Sequence, residues 1–370
     1  MATWRRITGV AGLAAGAVAA GAGAVMAAER IAIGRTQVLR TTASPGRLGE
    51  LRGQPLTVLT DDGVPLHVEI DEPPAAAKRT GRGTPPQPLT VIFCHGYTLN
   101  QDCWHFQRAA LGQHRLVFWD QRDHGRSGRS AAGAASVDRL GADLDLIIKA
   151  AAPGDMPVVL VGHSMGGMTI MALARQHPEL FGTKVTGVAL MSTAASGLSA
   201  GSPWMPRPIR PVLTRALPLV LSGAATGYRA MLVERGRRVA GDLSFLSTRF
   251  IGFGDPRVHP AVVDFLEQMI RSTPIEVVAA FGEALYAVDM RDTLGVLGRV
   301  PVVTLTGDKD RLVSPSLGQE LAEAIPSAEL VWVPGAGHAL ILEAPEVVNE
   351  AITSLIARVE AGAAARERSA

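Results

Sequence analysis

Six short apolar runs recur through the chain: "LTVIFC" (89–94), "RLVFWD" (115–120), "PVVLV" (157–161), "VTGVALM" (185–191), "VPVVTLT" (300–306) and "AELVWV" (328–333). Each is the length of a strand, and helical segments separate them. A strand that is apolar on both faces needs cover on both faces, which places these runs inside a parallel sheet with helices above and below. The expected fold is therefore α/β: a mostly parallel, doubly wound sheet whose functional groups collect at the carboxyl ends of its strands. Ahead of the first run, "PLTVLTDDGVPLHVEI" (55–70) alternates apolar and polar around Asp62-Gly63, the pattern of two strands joined by a tight turn.

The alternation breaks between about Ala195 and Leu294. No run there looks like a buried strand, whereas "HPAVVDFLEQMIRS" (259–272) and "IEVVAAFGEALYAV" (275–288) have helical spacing. A helical insertion over the carboxyl edge of the sheet follows, placed as a lid or cap. The chain then divides into a leader (1–28), a polar, basic linker (29–54), a core in two parts (55–196 and 294–362), the helical cap between them (197–293) and a tail (363–370). The Pro- and Gly-rich stretch 73–88 is an exposed loop within the first part.

The leader carries "ITGVAGLAAGAVAAGAGAVMAA" (7–28), uncharged and about one bilayer span long, but built mostly of Ala and Gly, which transfer weakly into lipid. Three readings stay open: a signal anchor, a cleaved signal (twin-arginine, through Arg5 and Arg6), or a loose Ala-rich helix. The first two make the protein membrane-anchored or exported to the cell envelope, with membrane association through residues 7–28. Basic residues on both sides leave the orientation open.

Composition narrows the chemistry. A formal net charge of +2 gives no reason to expect a nucleic-acid partner. Cys94 and Cys103, the two cysteines, lack metal-ligand spacing, and one bridge between them is left open. No HExxH, EF-hand or Walker pattern occurs, so neither a metal nor a cofactor is expected.

"GHSMGG" (162–167) stands between a strand-like and a helix-like run. Ser164 is then either a helix-capping turn residue or a nucleophile lifted above the sheet on a sharp turn, with Gly162 and Gly166 small because the backbone folds back on itself. A serine hydroxyl near neutral pH needs a neutral imidazole to take its proton. His338, in the Gly-rich loop after "AELVWV", is the one histidine beyond the insertion. The acid that orients it should follow the preceding strand, where "GDKD" offers Asp308 and Asp310; Asp310 is favoured because it lies further out on the loop. An oxyanion hole needs two backbone N–H groups, one from Met165 and the other from the turn "HGYT", with Tyr97 the leading candidate. His95 and Gly96 in that turn, and His163 beside the serine, are read as support for the elbow and pocket.

With these residues in view the chain resembles the alpha/beta-hydrolase family. "HGYTLNQDCW", "DQRDHGRSG", "GHSMGG", "GDKDRLVSP" and "GAGHAL" match in the expected order, across about residues 55–360. The resemblance implies a triad of Ser164, Asp310 and His338, oxyanion amides at Tyr97 and Met165, and a cap between the sixth and seventh strands. "DQRDHGRSG" departs from the common pattern, with Asp123 and His124 where small residues are frequent. Members that open epoxides or displace halide carry aspartate at the elbow, so Ser164 points to acyl transfer to water: hydrolysis of an ester, thioester or lactone of a small-molecule acyl substrate. Cofactor-free haloperoxidase-like chemistry, carbon–carbon bond hydrolysis and a non-catalytic ligand-binding protein on the same fold remain as alternatives. Residues 201–240 hold seven arginines and one acidic residue among apolar side chains. That composition suits either a solvated cap face or contact with anionic lipid, and favours an apolar or lipidic ester. Oligomeric state is left open.

Overall fold

The computed structural model describes residues 47–74, 89–131, 133–198 and 241–369. The leader, the 75–88 part of the Pro-rich loop and the arginine-rich part of the insertion lie outside the described residues. Two compact units divide the chain. Leu48–Val258 with Val262–Ala370 carries the sheet and everything below, while the described part of the other is Arg47 with His259–Ala261.

Eight strands form one sheet: β1 (Gln54–Leu59), β2 (Pro65–Asp71), β3 (Thr90–Cys94), β4 (Arg115–Trp119), β5 (Val158–His163), β6 (Val185–Met191), β7 (Val302–Gly307) and β8 (Ala328–Val333). Their order is β1-β2-β4-β3-β5-β6-β7-β8. β1 and β2 pair antiparallel in a hairpin, β2 joins β4 antiparallel, and every other pair is parallel. The hairpin turn closes through Thr60 and Val64, with Gly63 at φ 81°, a left-handed conformation that suits glycine.

Among the described residues the α-helices are α1 (His105–Ala110), α2 (Val137–Ala151), α3 (Met165–Gln176), α4 (Gly241–Gly252), α5 (Pro260–Ser272), α6 (Ile275–Tyr286), α7 (Leu294–Leu297), α8 (Pro315–Ala324), α9 (Leu340–Glu343) and α10 (Pro345–Ser369). Successive residues of a strand face opposite sides of a sheet, so each central strand feeds two cores. Ile92, Cys94, Leu160 and Val188 join the core covered by α2 and α3. Val91, Phe93, Val161 and Ala189 join the core covered by α10 and part of the inserted helices. That is why these strands read as unbroken apolar runs. On the first face Gly141 lets α2 approach α3, since a Cβ there would lie 2.8 Å from Ala172.

β8 differs from the expectation of a strand covered on both faces. It ends the sheet, has a partner on one side, and leaves Trp332 42% exposed. The residues expected as a tail continue α10 to Ser369, in keeping with the helix-forming "AGAAARER". Cys94 and Cys103 are both buried free thiols, and burial pushes the Cys94 thiol up to about 12. Among the described residues no helix is long and apolar enough to cross a membrane.

Candidate active site

β5 ends at His163 and α3 begins at Met165, which leaves Ser164 to make the whole turn at φ 52° and ψ −118°. A non-glycine residue holds such a backbone only where its surroundings fix it. Here the Ser164 N–H donates to the Met191 carbonyl of β6 (2.8 Å), and the Ser164 carbonyl accepts from the Thr193 hydroxyl (2.8 Å) and the Gly167 N–H (2.9 Å). The glycines are dictated by backbone contact. A Cβ on Gly162 would lie 2.6 Å from the Gly166 carbonyl oxygen, and one on Gly166 would lie 2.0 Å from that of Cys94. Ser164 thus stands at the amino end of a twelve-residue helix, where the dipole favours negative charge.

The loops after β7 and β8 meet the serine from the other side. The Ser164 hydroxyl lies 3.0 Å from His338 Nε2, and His338 Nδ1 lies 2.9 Å from Asp310 Oδ2. Asp310 Oδ1 accepts from the N–H groups of Leu312 (2.8 Å) and Val313 (2.9 Å), so the carboxylate is held on both oxygens. With Nδ1–H given to Asp310, Nε2 is the unprotonated nitrogen facing the hydroxyl. Asp308 turns elsewhere: Oδ1 accepts from the Gly335 N–H (2.6 Å), bracing the loop that carries the histidine. Of the two aspartates in "GDKD", Asp310, the one favoured by sequence, lies on the imidazole.

Tyr97 lies in the turn after β3, and Met165 is the first residue of α3. The Tyr97 phenol donates to the Val278 carbonyl of α6, and the Thr273 hydroxyl donates to the Thr98 carbonyl (3.0 Å), so the inserted helices grip this turn at two points. His95 is locked in one tautomer. Nδ1–H donates to the Gly96 carbonyl (2.8 Å) and Nε2 accepts from the Gln121 N–H (2.9 Å), while burial drives its pKa down to about 4. His163 donates through Nε2 to the His338 carbonyl (2.9 Å), and burial, reinforced by His338, holds it down at about 3. Both are neutral braces. Gly96 is small because a Cβ there would lie 2.7 Å from His163 Nδ1.

The departure in "DQRDHGRSG" is accommodated by capping. Asp123 takes φ 68° and accepts from the Ser130 N–H (2.6 Å) and hydroxyl (2.7 Å). His124 packs against Phe281 of α6, with ring centroids 5.3 Å apart. Sequence reasoning missed Gln121, Thr169 and Glu343. Gln121 Nε2 donates to the His95 carbonyl (2.6 Å) and its Oε1 accepts from the Thr169 hydroxyl (2.6 Å). Glu343 offered one signal, an acid alone in the apolar "HALILEAP" five residues past the histidine. No group of His, Cys, Asp and Glu among the described residues is arranged to hold a metal.

Known proteins resemble the chain over most of its length. It is 27% identical over 268 residues to a putative carbamate hydrolase from Caulobacter sp., covering 72% of this chain and 90% of that one. It is 26% identical over 271 residues to an sn-1-specific diacylglycerol lipase from Mus musculus, covering 72% and 80%. A solved thermophilic esterase from Thermogutta terrifontis superposes with a TM-score of 0.62 at 23% identity, covering 83% of this chain and 99% of that one, a likeness of fold. Residues 91–351 match the model of the alpha/beta hydrolase family, and the chain belongs to that family.

Proposed function

We propose that the protein is a serine hydrolase cleaving a carboxylic ester through an acyl-serine intermediate. The observation that carries the reading is the continuous relay from the Ser164 hydroxyl through His338 to Asp310, at 3.0 and 2.9 Å. In this reading Ser164 Oγ attacks the ester carbonyl carbon while His338 Nε2 takes the hydroxyl proton. Asp310 holds the imidazole in its tautomer and stabilises the imidazolium. The oxygen that gains charge is held by the N–H groups of Met165, at the amino end of α3, and of Tyr97, in the turn after β3. Collapse breaks the ester C–O bond, and His338 gives its proton to the departing alcohol. Water, deprotonated by the same imidazole, then attacks the acyl-serine; the acyl carbon–Oγ bond breaks, the imidazolium returns its proton to Ser164 Oγ, and the acid is released.

An apolar or lipidic acyl chain is the preferred substrate class, supported by the composition of residues 201–240 and by the 26% identity to a diacylglycerol lipase. Attachment to or passage through a membrane rests on residues 7–28 and their lack of charge. The test of the chemistry is hydrolysis of p-nitrophenyl esters from acetate to palmitate by the wild type, Ser164→Ala and His338→Ala. Loss of kcat on the order of 10⁴-fold or more is expected in both variants, with the folded state retained. Comparable turnover in either variant removes the mechanism. A flat chain-length profile removes the lipidic preference.

A further inference from the structure

Glu343 ends α9, and its carboxylate is occupied by backbone donors from two segments, the nearby histidine loop and the distant turn after α4. Oε1 accepts from the N–H groups of Asp255 (2.6 Å) and Gly254 (2.9 Å). Oε2 accepts from the Gly337 N–H (2.6 Å), with Gly254 also at 3.1 Å. Gly337 immediately precedes His338; Gly254 and Asp255 belong to the turn that closes α4. Charge-assisted bonds to an ionised carboxylate are the strong kind, and a carboxylate accepts along several lone pairs at once.

The same turn is tied into both loops of the triad. The Ala339 N–H donates to the Gly252 carbonyl (2.8 Å), on the far side of His338 from the Gly337 bond. Arg311, next to Asp310, donates to the carbonyl of Phe253 (2.9 Å), and the Lys309 N–H donates to the Ala336 carbonyl (3.0 Å). The backbones touch: a Cβ on Gly254 would lie 2.2 Å from the Gly335 carbonyl oxygen, and one on Gly337 would lie 2.6 Å from the Gly254 nitrogen. His338 is thus pinned on both sides, by Glu343 through Gly337 and by Gly252 through Ala339.

We propose that Glu343 is a positioning residue for His338: its carboxylate clasps the turn after α4 to the histidine loop and sets the distance from the imidazole to the Ser164 hydroxyl. The proposal rests on the serine-hydrolase reading of the triad. In Glu343→Gln one oxygen becomes an NH₂ group that faces N–H donors, so the clasp opens on one side. The carboxylate borders an open recess of about 480 Å³ shared with Arg257, Lys309 and Gly335, where water can reach the misplaced amide and the fold can survive. A misplacement on the scale of 1 Å at a reacting group costs roughly 10²-fold in rate.

The experiment measures p-nitrophenyl acetate turnover and the rate of fluorophosphonate labelling in the full chain, with thermal unfolding alongside. For Glu343→Gln, kcat and the labelling rate should fall by about 10- to 100-fold, with KM and the unfolding midpoint close to wild type. Glu343→Asp keeps the charge and is expected to recover part of the lost kcat. A folded Glu343→Gln with wild-type kcat overturns the proposal, as does an equal loss in both variants that tracks the unfolding midpoint. Should Glu343→Gln not fold, Glu343→Asp alone decides: a lowered kcat at unchanged KM supports the clasp, and wild-type kcat overturns it. A wild type that neither labels nor turns over would instead fail the serine-hydrolase reading, a separate outcome.

Discussion

Ser164 and its partners show what a few residues can commit a chain to. The glycines of the elbow answer to backbone contact, and a serine there with a histidine after the last strand suits proton transfer, so Ser164, Gly162, Gly166 and His338 stand out from the amino-acid order alone. The choice between Asp308 and Asp310 stands out less: position on the loop favours Asp310, but both follow β7 and what separates them is where Gly335 and His338 lie. With Asp310 on His338 and Asp308 on the Gly335 N–H, the two asparagine variants should part company. Asp310→Asn is expected to lower kcat on p-nitrophenyl esters by on the order of 10³-fold or more, because the amide favours the wrong tautomer of the imidazole. Asp308→Asn should remain within about threefold of wild type. Equal losses would move the orienting role off Asp310. Glu343 does not stand out, because its meaning depends on Gly254, 89 residues away, whose N–H reaches it only in three dimensions.

At the scale of elements, legibility follows burial. β3 through β7 are covered on both faces and appear as apolar runs, whereas β8 is an edge whose exposed Trp332 gives the same letters a different setting. α5 and α6 are legible by periodicity; their grip on the Tyr97-Thr98 turn is not, since the Tyr97 hydroxyl and the Val278 carbonyl are 181 residues apart. That grip has a measurable consequence. Tyr97→Phe keeps the ring and the backbone amide but removes the donor to α6. Amide exchange over Ile275–Tyr286 should speed up by about five- to tenfold, the loss of roughly 1 kcal/mol of local protection, while exchange in α3 stays unchanged. Unaltered exchange in α6 would mean that packing alone, including Phe281 against His124, holds the helix.

At the level of the whole molecule, the buried imidazoles of His95, His124 and His163 are held at about 4, 3 and 3, in each case mainly by burial. The unfolded chain binds protons at these groups below about pH 6.5, while the folded chain does not until near its own lowered pKa. Stability from them is therefore full above about 6.5 and is lost as pH falls toward 4, by up to about 1.4 kcal/mol per pH unit for each histidine. Carboxyls follow at lower pH. Burial would raise Glu69, but hydrogen bonds from His67, the Gly53 N–H and Arg108 hold it at about 2, so its contribution goes as pH drops below about 4. Asp120 and Asp143, raised by burial, act in the opposite sense, which makes a difference measurement the clean one. His124→Gln removes one titrating group, and its unfolding free energy should vary less steeply with pH than wild type between about 6 and 4, by about 1 kcal/mol per unit. Parallel curves would mean that His124 takes up its proton within the fold.

The proposed hydrolysis stands or falls on whether Ser164, His338 and Asp310 form a working nucleophile. The most direct measurement is reaction of the full chain with a fluorophosphonate probe, the adduct located by peptide mass spectrometry and Ser164→Ala run beside it. A single adduct on Ser164, absent from the variant, is expected. A folded protein that gives no adduct, or one labelled equally well without the Ser164 hydroxyl, would contradict it.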